Sequence, residues 1–184
     1  AKQGDALLAA NAILLNFLSF TSYGLDGFAH AAETLSGAAV GQRNKARLAR
    51  ILRVCLVWGL IGSLLYMLVY SVAGMSLIRV LTDQQDIAKL ADQFLVWAVL
   101  APLVSMPAYL YDGVFMGATR TRPLMLIMVW CSLAFLALSL MLLPLWGNHG
   151  LWLSFLIFNG LRGLGLALAL RPAIYRSLNT ETHA

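Results

Sequence analysis

Three ionisable side chains, Asp26, His30 and Glu33, interrupt an apolar stretch in the run SYGLDGFAHAAETLSG. In an α-helix, their spacing puts all three on one face, within about 100° of arc. The other polar or small residues on that face are Ser19, Ser22, Tyr23 and Gly37. Carboxylates and an imidazole that are shielded from water can load and release H⁺ or hold a cation, so we predict that the three bind a cation, a proton or a substrate. The alternative is that they only join helices by hydrogen bonds.

Metal and enzymatic chemistry have less support in this sequence. His30 and Glu33, at i and i+3, could share a divalent metal, but no third or fourth ligand follows at a typical spacing. The HExxH and GxSxG motifs of intramembrane and other hydrolases are both missing. We therefore predict no metal site, no cofactor and no enzymatic activity.

A second acidic candidate, Asp112, lies in the run MPAYLYDGVFMGATRTRP. We predict that it also binds a cation, a proton or a substrate, close to one end of its helix. Arg162, in FNGLRGLGLALAL, is either the counter-ion of Asp112 or of an acid in the first run, or it extends to the membrane surface. The predicted supporting residues are Tyr23, Tyr109 and Arg162.

Small residues and prolines surround Asp112. Gly113 and Gly117 form a GxxxG pattern, which is typical of helices that approach each other closely. Pro102 and Pro107 precede them, and we expect these prolines to bend or break the helix.

The composition assigns the whole chain to the membrane. Of its 184 residues, 60% are hydrophobic and only 11% are charged, whereas soluble domains carry about 25% charged residues. The net charge of +5 does not indicate a nucleic-acid partner, because the basic residues lie mostly between apolar runs. The predicted environment is a lipid bilayer, with no nucleic acid bound.

The apolar runs divide the chain into transmembrane helices. A bilayer core takes about 20 helical residues, and these runs are apolar on every face, unlike the alternating strands of barrels. We predict an all-α membrane protein with a single membrane domain, residues 1–184. The five predicted spans are residues 7–40, 51–80, 94–116, 123–143 and 151–170. The first is too long for one crossing, so we expect part of it to lie outside the hydrocarbon.

Charges in the connections predict the orientation. Nine basic residues lie on one side: Arg43, Lys45, Arg47, Arg50, Arg53, Arg120, Arg122, Arg171 and Arg176. On the other side, three basic residues are diluted by four acids: Lys2, Arg79, Lys89, Asp5, Asp83, Asp86 and Asp92. The positive-inside rule then puts the N-terminus outside and the C-terminus in the cytoplasm. The chain begins with Ala1 and has no signal peptide, so we expect an odd number of spans before it and interpret it as a fragment.

Two of these runs resemble one transporter family. The run DGFAHAAETLSGAAVGQ (residues 26–42), followed by a basic loop, resembles the eighth helix of multidrug and toxic compound extrusion (MATE) transporters. The run DGVFMGATRTRP (residues 112–123) resembles the end of their tenth helix. The DG that opens each run is most similar to the subfamily of DNA-damage-inducible protein F.

The resemblance implies a fold and an activity. The chain would supply helices eight to twelve, most of the C-terminal lobe of a twelve-helix transporter in the bacterial inner membrane. Its partners would be the N-terminal lobe of the same transporter and a small amphipathic substrate. The transporter would export organic cations or other amphipathic compounds in exchange for H⁺ or Na⁺. Some relatives have cation ligands in helices seven, eight and ten, although their aspartate in the middle of helix ten does not align with Asp112.

Two other functions stay open at this point. A lipid-linked saccharide flippase of the same superfamily would need several cations in its cavity for a pyrophosphate, whereas the deep charges here are mostly acidic. A structural membrane subunit without transport activity would have little need for acids within its spans.

Overall fold

The computed structural model describes residues 2–176 and 178, and within these residues it contains helices and no β-strand. The five α-helices are α1 (Lys2–Gly41), α2 (Lys45–Leu81), α3 (Gln85–Gly117), α4 (Thr121–Trp146) and α5 (Asn148–Leu170). One turn of π-helix, Arg171–Tyr175, follows α5 directly. The predicted all-α fold is confirmed, and all five helices are long and apolar enough to cross a membrane.

The helices extend beyond the apolar runs. α1 has 40 residues and is therefore about 60 Å long, twice the thickness of a bilayer core of about 30 Å. α2 begins at Lys45 because the side chain of Asn44 accepts a hydrogen bond of 2.9 Å from the backbone N–H of Arg47 and caps the helix. The connections between successive helices are turns of only one to three residues, so each helix begins at the end of the bundle where the preceding one stops.

These turns define two ends of the bundle. The turns after α1 and α3 lie at what we call the basic end, together with the π-helical turn. The turns after α2 and α4 lie at the far end. Arg43 (φ 53°) and Thr119 (φ 55°) close the two basic-end turns with the same backbone hydrogen-bond pattern. At the far end, Gly147 has φ 55° and ψ −137°, a conformation that favours glycine.

α3 is the central helix. It packs against α1, α2 and α5, whereas α4 packs mainly on α5 and has only Cys131 buried. Many of the buried residues of α3 are small: Ala88, Ala91, Ala98, Ala101, Ser105, Ala108 and Gly113. α3 continues as one α-helix through Pro102 and Pro107, so of the two expected outcomes, a bend or a break, the break does not occur. Packed neighbouring helices make a proline tolerable within a transmembrane helix.

Glycines bring α1 and α3 into backbone contact. A Cβ on Gly113 would collide with the carbonyl oxygen of Ala29, and one on Gly117 would collide with that of Glu33. From the other side, a Cβ on Gly37 would be 2.8 Å from the carbonyl oxygen of Gly117. The packing interpretation of the GxxxG pattern is therefore confirmed, and this contact fixes the polar part of α1 beside the end of α3.

Candidate cation-binding site

A close contact between α3 and α5 brings the candidates on these helices together. Gly163 lies so near α3 that a Cβ there would be 3.1 Å from the backbone nitrogen of Ala108. Tyr109 and Asp112 are one turn apart on this part of α3, and Arg162 immediately precedes Gly163. The Arg162 side chain therefore reaches the α3 surface that carries both candidates.

Arg162 and Asp112 form an ion pair. Nη2 of Arg162 donates to Oδ2 of Asp112, and the two side chains are 11% and 23% exposed, respectively. Of the alternatives that the sequence left open, the structure shows that Arg162 is the counter-ion of Asp112. The pair is held by this one hydrogen bond. Nε of Arg162 and Oδ1 of Asp112 are buried without a hydrogen-bond partner among the described residues.

Two aromatic rings complete the surroundings of the guanidinium. Its central carbon is 5.6 Å from the ring centroid of Tyr109 and 5.9 Å from that of Phe158, both within cation–π range. The Tyr109 hydroxyl also shares a hydrogen bond of 2.6 Å with Oγ of Ser22 on α1. We call Tyr109, Asp112 and Phe158, which surround the Arg162 guanidinium, the guanidinium box.

Asp26 adds a second acid to this region. It is half-buried, one turn after Ser22 on the same side of α1, and its charge is close enough to interact with that of Asp112. Asp26 forms no ion pair with another described residue. Two carboxylates thus lie in this region, and the Arg162 guanidinium is paired with one of them, Asp112. When both are ionised, the cluster carries one negative charge in excess, which a proton or a bound cation would neutralise.

The remaining candidates on α1, His30, Glu33 and Tyr23, are partly or largely exposed. Nδ1 of His30 is 3.6 Å from Oε2 of Glu33, and these side chains are 79% and 36% exposed. Tyr23 is 75% exposed. The predicted polar face of α1 is therefore divided: Asp26 and Ser22 lie beside α3, whereas His30 and Tyr23 point away from the other four helices. Among the described residues, no group of three or more His, Cys, Asp or Glu side chains could hold a metal ion.

An aromatic groove extends from this region towards the far end. It encloses about 190 Å³ and lies between α1, α4 and α5. Its lining residues are Asn11, Leu15, Leu18, Phe135, Leu151, Trp152 and Phe155. The Phe135 ring is 5.8 Å from that of Phe158, so the groove adjoins the guanidinium box. The sequence analysis missed this groove, because aromatic residues within apolar helices give no distinguishing signal.

Polar residues at the far end form a neutral network that the sequence analysis also missed. The side-chain amides of Asn11 and Asn148 donate to each other's Oδ1 at 2.8 Å. Nε1 of Trp152 donates to the same Oδ1 of Asn11 at 3.0 Å. Nearby, Nε1 of Trp97 donates to Nδ1 of His149 at 3.0 Å. We call Asn11, Asn148 and Trp152 the amide network.

Comparison with known proteins gives two matches. The sequence model of the MatE family matches residues 1–141. The chain is also 43% identical over 167 residues to DNA damage-inducible protein F of Escherichia coli (strain K12), an alignment that covers 91% of this chain. The chain spans about a third (36%) of the length of that curated relative. No solved structure matches the chain.

Proposed function

Because the chain belongs to the MatE family, the multidrug and toxic compound extrusion transporters, we propose that it forms part of a secondary active efflux transporter. This transporter exports organic cations or other amphipathic compounds in exchange for H⁺ or Na⁺. In this proposal the five helices contribute to the C-terminal lobe in the bacterial inner membrane. The exposed polar face of α1, with Tyr23 and His30, faces the N-terminal lobe across a central cavity.

One observation carries the proposal: among the described residues, Asp26 and Asp112 share one region of the membrane-spanning helices with a single guanidinium, that of Arg162. A charged side chain costs about 2.5–3.5 kcal/mol at mid-bilayer on insertion scales, so an unbalanced acid there calls for a function. Asp112 has a partner in Arg162, whereas Asp26 has no ion-pair partner among the described residues. We therefore assign the exchangeable cation or proton to Asp26, with Glu33 and Asp112 as neighbouring acids.

The aromatic groove supports the substrate class. Aromatic rings and a few acids suit a ligand with apolar rings and a positive charge. A flippase for lipid-linked pyrophosphates would instead require unpaired cations in this position. The deep cation, Arg162, is already paired with Asp112.

Transport by the full-length protein in everted membrane vesicles tests this function. We expect a fluorescent organic cation to be moved against its gradient when a proton or a sodium gradient is imposed, and the effective gradient identifies the coupling ion. Asp26→Asn should abolish this flux. Asp5→Asn is the matched control, since Asp5 is an exposed acid in the first turn of the same helix. Flux that responds to neither gradient would contradict the proposal.

We further propose that the basic end is cytoplasmic, on the basis of the nine-to-three excess of basic residues. Single cysteines are introduced at Lys45, Thr121 or Gln85 after the buried Cys55 and Cys131 have been replaced by alanine. We expect an impermeant thiol reagent to label the first two positions only from the cytoplasm and the third only from outside. Labelling of positions 45 and 85 from the same side would contradict the five-span topology.

A further inference from the structure

We propose that the guanidinium box is a recognition site for organic cations, and that Arg162 occupies it as a tethered competitor of a cationic ligand. The box itself follows from the geometry of α3 and α5. Only the identification of the competing ligand as a transported substrate rests on the proposed function.

The chemistry of the box is that of a cation receptor. A carboxylate supplies charge, and the faces of two aromatic rings, at 5.6 Å and 5.9 Å from the guanidinium carbon, supply cation–π attraction. With the Arg162 side chain only 11% exposed, the cation is largely enclosed. Such a combination recognises a planar or alkylated nitrogen cation whether or not the cation is attached to the chain.

The ion pair between Arg162 and Asp112 is incompletely hydrogen-bonded, so another cation can replace Arg162. A permanent arginine–carboxylate bridge commonly uses two parallel hydrogen bonds, which satisfy both carboxylate oxygens and add stability. Here one bond joins the partners, and Nε of Arg162 and Oδ1 of Asp112 are buried without a partner among the described residues. A buried pair that is incompletely hydrogen-bonded stabilises a fold little. Replacement of Arg162 by a better-fitting cation is therefore energetically accessible.

A second acid, Asp26, lies in the same region as Asp112. The charge of Asp26 is close enough to interact with that of Asp112, so both carboxylates lie in the same region. A ligand cation on Asp112 and the guanidinium on Asp26 would together leave no excess charge. The adjoining aromatic groove, linked through the Phe135 and Phe158 rings, offers a ligand an apolar approach to the box.

Chemical rescue of the full-length protein tests this proposal. Arg162→Ala empties the box, and millimolar methylguanidinium should then bind in place of the missing side chain. We expect methylguanidinium, at about ten times its Kd, to raise the Tm of this variant by about 1.5 °C. The neutral analogue methylurea should leave that Tm unchanged. Wild-type protein should respond to neither compound, because its own guanidinium fills the box.

Two further variants make the test specific. Arg171→Ala removes an exposed arginine just after α5 and should gain no response to methylguanidinium. Arg162→Ala combined with Asp112→Asn should lose the rescue, because the carboxylate is gone. If Arg162→Ala does not accumulate as folded protein, Arg162→Gln is compared with wild type in the same way.

The proposal is overturned if methylguanidinium stabilises neither Arg162 variant more than methylurea does, or if it stabilises Arg171→Ala equally. The readout involves no gradient and no flux. A failed rescue therefore leaves the transport proposal intact, and a failed transport assay leaves the box intact.

Discussion

The basic and far ends of the bundle both contain buried polar side chains that connect distant helices, but they do so in different ways. At the far end, the amide network is neutral, and Asn11 and Asn148 exchange two hydrogen bonds of 2.8 Å. Nearer the basic end, Asp26, Asp112 and Arg162 are charged groups within the helices, and two of their buried polar atoms have no partner among the described residues. The two regions are joined by the face of α1 that lines the aromatic groove.

This difference distinguishes the neutral amide network, which holds helices together, from the charged cluster, which can bind a ligand. Interhelical hydrogen bonds contribute about 0.6–2 kcal/mol each, and neutral amides provide them without the cost of a buried charge. Three charges in a membrane cost more than that network and hold the helices no better. We therefore interpret the amide network as structural and the cluster of Asp26, Asp112 and Arg162 as the part that binds cations.

The largest expected effect on stability is at the ion pair. Arg162→Gln leaves the Asp112 carboxylate without its counter-ion, and we expect it to lower the free energy of unfolding by about 3 kcal/mol. The double variant Arg162→Gln, Asp112→Asn removes both charges and should recover most of this loss. Reversible unfolding of the full-length protein in mixed micelles measures both. A double variant that is less stable than the single one would mean that the basic end is held together by its charges.

A smaller loss should follow from separating α1 and α3. Gly113→Ala adds a methyl group where the carbonyl oxygen of Ala29 lies, so we expect a destabilisation of about 2 kcal/mol and weaker flux as Asp26 moves away from Asp112. Gly27 follows Asp26 in the other DG pair. A Cβ built on Gly27 would have no neighbouring atom within 4 Å. Gly27→Ala is therefore the matched control, and the same unfolding assay should find it as stable as wild type or slightly more so. Equal losses in the two variants would contradict the close contact.

The smallest of the stability effects should be at the far end. Asn148→Ala removes one partner of the amide network, and we expect a loss of about 1 kcal/mol in the unfolding assay. Transport at matched expression should stay close to the wild-type rate, because no charge is changed. A strong loss of flux with normal stability would mean that the far end also has a role in transport.

Sequence alone predicted the five helices well, because apolar runs depend on the bilayer more than on the neighbouring helices. The resemblance of the two DG runs to the MATE family is confirmed by the family match. The sequence also predicted Asp112 and Arg162 as polar residues of interest, but it left the partner of Arg162 open. That partner depends on which faces of α3 and α5 pack against each other. The close contact between Gly163 and Ala108 determines those faces.

Other features could not be predicted either, because they too depend on how the helices pack. Asn11 and Asn148 are far apart in the chain, and a neutral amide near a helix end gives no signal of a buried partner. The continuity of α3 through Pro102 depends on its burial among neighbouring helices. The roles of Asp26, His30, Glu33 and Asp112 in binding stay predictions.

Drug efflux by two variants of the full-length protein, compared at matched expression, tests most directly whether the charged cluster and the amide network have different roles. Asp26→Asn with Glu33→Gln keeps the side-chain volumes and hydrogen-bonding capacity of both residues but removes the charges that we assign to cation coupling. Asn148→Leu replaces the member of the amide pair that does not line the aromatic groove by an apolar side chain of similar size. We predict that the first variant loses efflux with normal membrane insertion, and that the second transports at close to the wild-type rate. Wild-type efflux in the Asp26→Asn, Glu33→Gln variant would contradict the account and make both acids packing residues.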